Sequence, residues 1–196
     1  MSGDSCKISQ REKIKNAAMK VFSQKGFHSS SVQEIADEAG VNKSLFFYYF
    51  QNKENLFYLI FKENMQDFLS KLQLIAEQKV SPIEKLKAVI DFEANFYIHI
   101  MEKGILSWGI KAMDECFDIL KDLKDDVMLM ISLVSGVIKE GVEAGVFRSI
   151  DPDLTARLIL SSHQMLIRDK ILYNTEISKE KFAEFLNTLF TEGLLL

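Results

Sequence analysis

The chain has 196 residues, with 47% hydrophobic residues, 27% charged residues and a formal net charge of −4. This composition is ordinary for a folded globular protein and argues against intrinsic disorder. The two cysteines, Cys6 and Cys116, are too few and too far apart for a disulfide framework or a metal knuckle, which indicates a reducing compartment.

The first predicted helix begins at Ser9, which forms a capping box with Glu12, and ends at Gly26. Its apolar residues recur at the spacing of an amphipathic helix. We expect these residues to face inward: Ile14, Ala17, Ala18, Val21 and Phe22.

Two further short helices follow. Ser30 and Ser31 both offer N-cap oxygens for the second helix, which Gly40 closes, and Asn42 caps a third helix that runs through Tyr49. Two short helices joined by a tight glycine-containing turn predict a helix-turn-helix at about 31–50. The inward positions of the second helix are Val32, Ile35, Ala36 and Ala39.

The remainder of the chain also has helical periodicity. Asn52 can cap a long fourth helix, and Ser81 followed by Pro82 opens a fifth that runs to about residue 103. We expect further helices at about 105–119, 122–144, 153–173 and 178–192. No segment alternates for long with the period of a strand, so the prediction is an all-α fold of about nine helices. We place a three-helix head at residues 1–52 and a helical body at residues 53–196.

Charge divides along the same line. Residues 1–55 hold eight Lys and Arg against six Asp and Glu, a charge of +2, so the rest of the chain carries −6. Six basic residues and one acid lie between Lys7 and Lys25. Either a nucleic-acid-binding head or a solvated helix face explains this asymmetry.

Residues 42–53 contain two lysines, a serine and two tyrosines and no acid. Phe46 and Phe50 are spaced to pack inward, with Phe47 as a third inward candidate. The outer side would then carry Lys43, Ser44, Leu45, Tyr48 and Tyr49, as a helix that enters a DNA major groove requires. A helical hairpin with an aromatic core and incidental lysines is the alternative.

The head resembles the TetR family of bacterial regulators over about residues 8–58. The residues that carry the resemblance at fixed spacing are Arg11, Ile14, Ala17–Ala18, Phe22, Gly26–Phe27, Ser30–Ser31, Val32, Ile35–Ala36, Ala39–Gly40–Val41, Phe47-Tyr48-Tyr49-Phe50 and Lys53-Glu54-Asn55-Leu56. A weaker resemblance continues in the body through Gly141 and Gly145-Val146-Phe147-Arg148.

The resemblance implies double-stranded operator DNA as the partner. It implies base contacts from Lys43, Ser44 and Leu45 on the third helix and from Gln33 on the second. Phosphate contacts would come from Ser30, Ser31, Tyr48, Tyr49 and Lys53. At Leu45 the family often has a smaller residue, so this side chain either touches a thymine methyl group or belongs to the core.

For the body, the resemblance implies a homodimer that binds a small-molecule effector and, by the default of the family, represses transcription. The dimer candidates are Leu154, Leu158, Ser161, Ser162, Met165, Phe182, Phe185 and Leu189. The ligand-binding candidates are Phe61, Met65, Phe68, Phe92, Phe96, Trp108, Met113 and Phe117. Glu93 could orient a polar group of a ligand, although we expect it to be exposed.

The remaining expectations are negative. No signal peptide and no apolar run long enough to span a bilayer is present, so we expect a cytoplasmic protein without membrane attachment. We expect no catalytic residues, metal or cofactor, because no Glu-x-x-His motif, hydrolase elbow or phosphate loop occurs. The alternatives are control by a protein partner, or a helical-bundle enzyme that holds a haem or flavin.

Overall fold

The structure is a computed structural model that describes residues 9–102, 123–173 and 178–193, without the side chains of residues 97–102, 163–173, 179 and 191. The described residues contain eight α-helices and no strand. These are α1 (Gln10–Lys25), α2 (Val32–Ala39), α3 (Lys43–Phe50), α4 (Lys53–Ala76), α5 (Pro82–Glu102), α6 (Lys124–Glu143), α7 (Pro152–Tyr173) and α8 (Lys179–Asn187), the last continued by a π-helical turn, Thr188–Glu192. The predicted all-α fold is confirmed. The helix predicted at about 105–119 lies outside the described residues.

Side-chain caps set the beginnings of the first three helices. The Ser9 hydroxyl accepts a hydrogen bond from the Glu12 backbone N–H (3.2 Å), and the Asn42 side chain accepts one from the Leu45 N–H (2.8 Å). At α2 the cap is Ser31, which forms a reciprocal capping box with Glu34. Each bond satisfies one of the N–H groups that a helix start leaves without a partner.

Left-handed glycine makes the sharp turn between α2 and α3. Gly40 has φ 65° and ψ 37°, a conformation that costs a residue with a side chain more than it costs glycine. The Val41 N–H then bonds back to the Ala36 carbonyl (2.9 Å), so the chain reverses direction within three residues. The predicted helix-turn-helix is present.

The described chain divides into two compact units, and the division falls within α4 after Lys62. Residues 9–62 enclose an aromatic core, in which the Phe27 ring lies 5.5 Å from Phe22 and 4.8 Å from Phe57, measured between ring centres. All the residues predicted to face inward on α1 are buried. The functional boundary at residue 52 stays a prediction.

Residues 63–102, 123–173 and 178–193 form the described part of the second unit, which has two hydrophobic clusters. One joins α5, α6, α7 and α8 through Leu86, Ile90, Val137, Ile138, Phe147, Ile159, Leu186 and Phe190. The other joins α4, α5, α6 and α7 through Phe68, Leu72, Val89, Ile131, Val134, Ala156 and Leu160. Among the described residues, no helix has the length and apolarity needed to cross a bilayer.

Candidate functional site

Helix α3 presents one polar and aromatic face to solvent. Phe46 and Phe50 are fully buried and fix the orientation of the helix on its scaffold. Lys43 and Ser44 in the first turn are exposed, which leaves their side chains available to a ligand. Tyr48, one turn further on, is 78% exposed.

Phe47 lies on this exposed face, not in the core. The sequence pattern makes Phe47 a third candidate for the inward side of α3, whereas its side chain is 46% exposed. Residues 43, 44, 47 and 48 are close in angle around a helix of 3.6 residues per turn, so they form one continuous surface. We call these four residues the α3 face.

Leu45 and Tyr49 lie at the edge of the α3 face, and both are half-buried. The Tyr49 ring packs edge-on against Tyr48, with 5.1 Å between the ring centres, and also contacts Phe50 at 6.2 Å. Leu45 is therefore neither a free surface residue nor a core residue, and its base contact stays a prediction.

The residues predicted on α2 have partners in their own helix. Gln33 is exposed and its amide N–H donates to the Asp37 carboxylate (2.7 Å). Ser31 is exposed, but its hydroxyl is bonded to Glu34 (3.0 Å). The hydrogen bond from Lys25, followed by those from Ser31, lowers the pKa of Glu34 from its ordinary 4.5 to about 2.

Two predicted phosphate contacts turn inward instead. Ser30 is only 5% exposed and its hydroxyl donates to the Phe27 carbonyl (2.6 Å), so the structure gives no support to the predicted phosphate contact of this side chain. The Lys53 ammonium donates to the carbonyls of Phe27 (2.6 Å) and Ser30 (2.8 Å). The phosphate contact of Lys53 stays a prediction, and the structure offers no direct support for it.

Most lysines of α1 are paired with acids rather than exposed as isolated charges. Lys20 bonds Glu38 (2.5 Å) and Lys25 bonds Glu34, and both pairs join α1 to α2. Lys15 pairs with an acid one turn before it, Glu12 (2.7 Å). The basic run that the sequence shows is therefore largely neutralised within the head, whereas no ion pair among the described residues uses Lys43.

Comparison with known proteins identifies the family. Residues 14–59 match the model of the family described as "Bacterial regulatory proteins, tetR family". The HTH-type transcriptional regulator RutR of Escherichia coli O157:H7 is 30% identical over 163 residues, which cover 79% of this chain and 72% of that protein. The chain belongs to the TetR family. Its members are DNA-binding transcriptional regulators.

Two further relatives of this TetR-family chain bear on the body. The "Fatty acid metabolism regulator protein" of Bacillus subtilis (strain 168) is 25% identical over 150 residues, or 76% of this chain and 77% of that one. The crystal structure of FadR from Bacillus subtilis in complex with stearoyl-CoA has a TM-score of 0.75, with 20% identity, and covers 93% of this chain and 98% of that chain. The fold is thus shared over nearly the whole length.

Only some of the ligand-binding candidates of this TetR-family chain come together. The Phe68 ring contacts Phe92 and Phe96, with 4.9 and 4.8 Å between ring centres, whereas Phe61 packs against Phe57 in the first unit at 4.9 Å. Met65 is half-buried, and Trp108, Met113 and Phe117 lie outside the described residues. The expectation that Glu93 is exposed is wrong, because the structure buries it completely.

The dimer candidates divide into exposed and inward residues. Leu154 and Leu158 on α7, Phe185 on α8 and Leu189 in the π-helical turn that follows are all at least half exposed. Phe182 is half-buried and packs on the cluster of Leu186 and Phe190, and its place in a dimer interface stays a prediction. The hydroxyls of Ser161 and Ser162 donate to carbonyls of their own helix. The side chain of Met165 is outside the described residues.

Proposed function

We propose that the protein is a cytoplasmic transcriptional repressor that binds a palindromic operator as a homodimer and releases it when a small apolar or amphipathic ligand binds the body. The observation that carries the DNA-binding part is the α3 face. It combines one cation, two hydroxyl groups and two aromatic rings on a short helix whose other side is anchored by two buried phenylalanines. A protruding helix of this kind fits a major groove.

Within this proposal, residues of α3 read the bases. Lys43 and Ser44 are the residues that contact base edges from the N-terminal end of α3. Phe47, which the family resemblance does not assign to DNA, contacts a thymine methyl group. Tyr48 holds a phosphate oxygen with its hydroxyl, and Tyr49 does so from the edge of the face. The exposure of these side chains and the anchoring of the helix support the assignment.

The homodimer is supported by α8 and the π-helical turn that continues it, which carry one buried and one exposed pair of apolar side chains. Leu186 and Phe190 are buried in the core of the second unit, whereas Phe185 is 60% and Leu189 50% exposed. The buried pair is sufficient to pack this segment onto its own chain, so the exposed pair is available to contact a second copy. Leu154 and Leu158 give α7 a comparable exposed apolar strip. Burial of both strips against a second copy would remove the apolar surface from water in an isologous interface.

The ligand is proposed to be a fatty acyl compound such as an acyl-CoA. The names of the relatives support this class, since one regulates fatty acid metabolism and another was solved with stearoyl-CoA. The aromatic cluster of Phe68, Phe92 and Phe96 supplies an apolar surface that suits an acyl chain. A dimer must hold its two recognition helices about 34 Å apart to enter successive grooves. A ligand that binds more tightly to a dimer with another spacing weakens DNA binding, by an amount set by the difference between its affinities for the two forms of the dimer.

Fluorescence anisotropy with DNA from upstream of the protein's own gene tests both parts. We expect saturable binding in the presence of non-specific competitor DNA, and a footprint over an inverted repeat. Binding that competitor DNA abolishes would reject the operator. Acyl-CoA, free fatty acid and CoA alone are then titrated separately. Release by acyl-CoA but not by CoA supports the ligand class, and no release by either acyl compound rejects it while leaving operator binding intact.

A further inference from the structure

The first residue of α4 closes a junction inside the head. The Lys53 ammonium donates to two backbone carbonyls, those of Phe27 and Ser30, at 2.6 and 2.8 Å. It also lies 4.4 Å from the centre of the Phe27 ring, within the range of a cation–π contact. Both carbonyls belong to the connection between α1 and α2.

Several donors converge on one of these carbonyls. The Phe27 oxygen accepts from the Lys53 ammonium, from the Ser30 hydroxyl (2.6 Å) and from the Ser30 N–H (3.3 Å). The next residue, Ser31, is the N-cap of α2 and accepts from the Glu34 N–H. The junction therefore determines where α2 begins, and α2 positions α3 through the tight turn at Gly40.

Transfer of the ammonium to a phosphate would break this arrangement. Hydrogen bonds with a charged donor are shorter and stronger than neutral ones. A lysine ammonium has three N–H donors, and the two carbonyls use two of them. If the whole group turned to DNA, the Ser30 carbonyl would lose its charged donor and the Phe27 carbonyl would keep only the neutral donors of Ser30, which is unfavourable for partly buried groups. The ammonium is thus more strongly held by the protein than an exposed lysine such as Lys43.

We propose that Lys53 acts in DNA binding mainly as a positioning residue, which fixes the α1–α2 connection and through it the α3 face. This inference rests on the proposed operator binding. It assigns the effect of Lys53 to geometry, whereas the family resemblance assigned it to charge.

The salt dependence of operator affinity separates the two roles, because each phosphate contact adds about 0.9 to the slope of log affinity against log salt. The variants are Lys53→Met, Ser30→Ala and Lys43→Ala. Lys53→Met keeps the aliphatic packing on Phe27 but removes the donor. Ser30→Ala weakens the same junction from a buried position that cannot reach DNA. Lys43→Ala removes an exposed cation of the α3 face.

We expect Lys53→Met to weaken operator binding by at least roughly tenfold, because each head of the dimer loses a charged donor, with the slope unchanged. Ser30→Ala should weaken binding in the same direction with an unchanged slope. Lys43→Ala should lower the slope by up to about 1.8 for a dimer, because it removes from each head a cation that lies among the phosphates of the major groove even though it contacts a base edge. Lys53→Arg, which keeps two donors, should restore affinity to within about threefold of the wild type.

Measurements are made well below the melting temperature, with circular dichroism to verify the fold. A slope that falls in Lys53→Met as in Lys43→Ala would overturn the inference. So would a Lys53→Met protein that melts earlier but binds DNA as tightly as the wild type, because the role would then be structural only. If Lys53→Met does not fold, Lys53→Gln replaces it in the same comparison. Absence of operator binding by the wild type would instead reject the proposed function, a distinguishable result.

Discussion

Two glycines on the same helix predict opposite effects of one substitution. A Cβ atom added to Gly141 on α6 would lie 2.0, 2.2 and 2.8 Å from three ring atoms of Phe147. A Cβ added to Gly136, five residues earlier, would meet nothing within 4 Å. Alanine at position 141 therefore forces the Phe147 ring or the backbone of α6 to move, whereas alanine at position 136 only raises the helix propensity of α6.

The Phe147 ring has little freedom to yield. It is 1% exposed within the cluster that joins α5, α6, α7 and α8. The backbone N–H groups of Val146 and Phe147 both bond to the Gly141 carbonyl, at 2.9 and 3.0 Å. Overpacking of a core costs about 1–3 kcal/mol. We take the upper end, about 3 kcal/mol, because three ring atoms are too close.

Replacement of an interior helical glycine by alanine returns about 1 kcal/mol. Gly141→Ala should therefore lower the free energy of unfolding by about 2 kcal/mol, whereas Gly136→Ala should raise it by about 1 kcal/mol. For a chain of this size the two variants should differ in Tm by about 6–12 °C. Thermal unfolding at equal protomer concentration measures the difference. A Gly141→Ala protein as stable as Gly136→Ala would refute the close contact.

Three further predictions concern the head and the dimer. Replacing the thymine that Phe47 contacts by uracil should weaken wild-type binding about fourfold, the value of one buried methyl group, but should not affect Phe47→Ala. Because the pKa of Glu34 is lowered to about 2, its ionised carboxylate stabilises the folded head above pH 4.5, and this stabilisation is lost as the pH falls towards 2. The difference in Tm between wild type and Glu34→Gln should therefore disappear over that range. Phe185→Glu should produce monomers in sedimentation equilibrium and lose operator affinity, whereas Leu74→Glu, an equally exposed leucine on α4, should not.

Each of these has an outcome that contradicts it. If uracil at every thymine of the operator leaves wild-type affinity unchanged, Phe47 does not read a methyl group. A Tm difference between wild type and Glu34→Gln that is constant from pH 7 to pH 3 would mean that the ionised carboxylate does not stabilise the head. A Phe185→Glu protein that remains dimeric would place the interface elsewhere.

Local signals predicted the helices well because caps and glycines act over a few residues. Ser9, Asn42 and Gly40 each perform the role that their residue type indicates. The sequence left the choice between Ser30 and Ser31 open, since both carry a hydroxyl. Only the packing of the head decides it, by burying the first and leaving the second to cap α2.

The α3 face was predicted less completely because its sequence has little contrast. Five of the eight residues of α3 are aromatic, so an apolar stripe does not identify the inward side. Phe47 was therefore placed inward although it is exposed. Similarly, an apolar residue on α8 fits either the core of its own chain or a partner, and the half-buried Phe182 is compatible with both. Glu93 was expected outside because carboxylates are rarely buried.

The distribution of charge in the head argues that operator binding depends on both heads acting together. The ion pairs between α1 and α2 neutralise Lys20 and Lys25, and Lys53 is bonded to backbone carbonyls. The α3 face carries one cation, so its own electrostatic contribution to DNA affinity is small. If the proposed function is correct, one head alone binds weakly and specific binding needs two heads at the correct spacing. Under the same proposal, a ligand that changes this spacing would have a large effect on affinity.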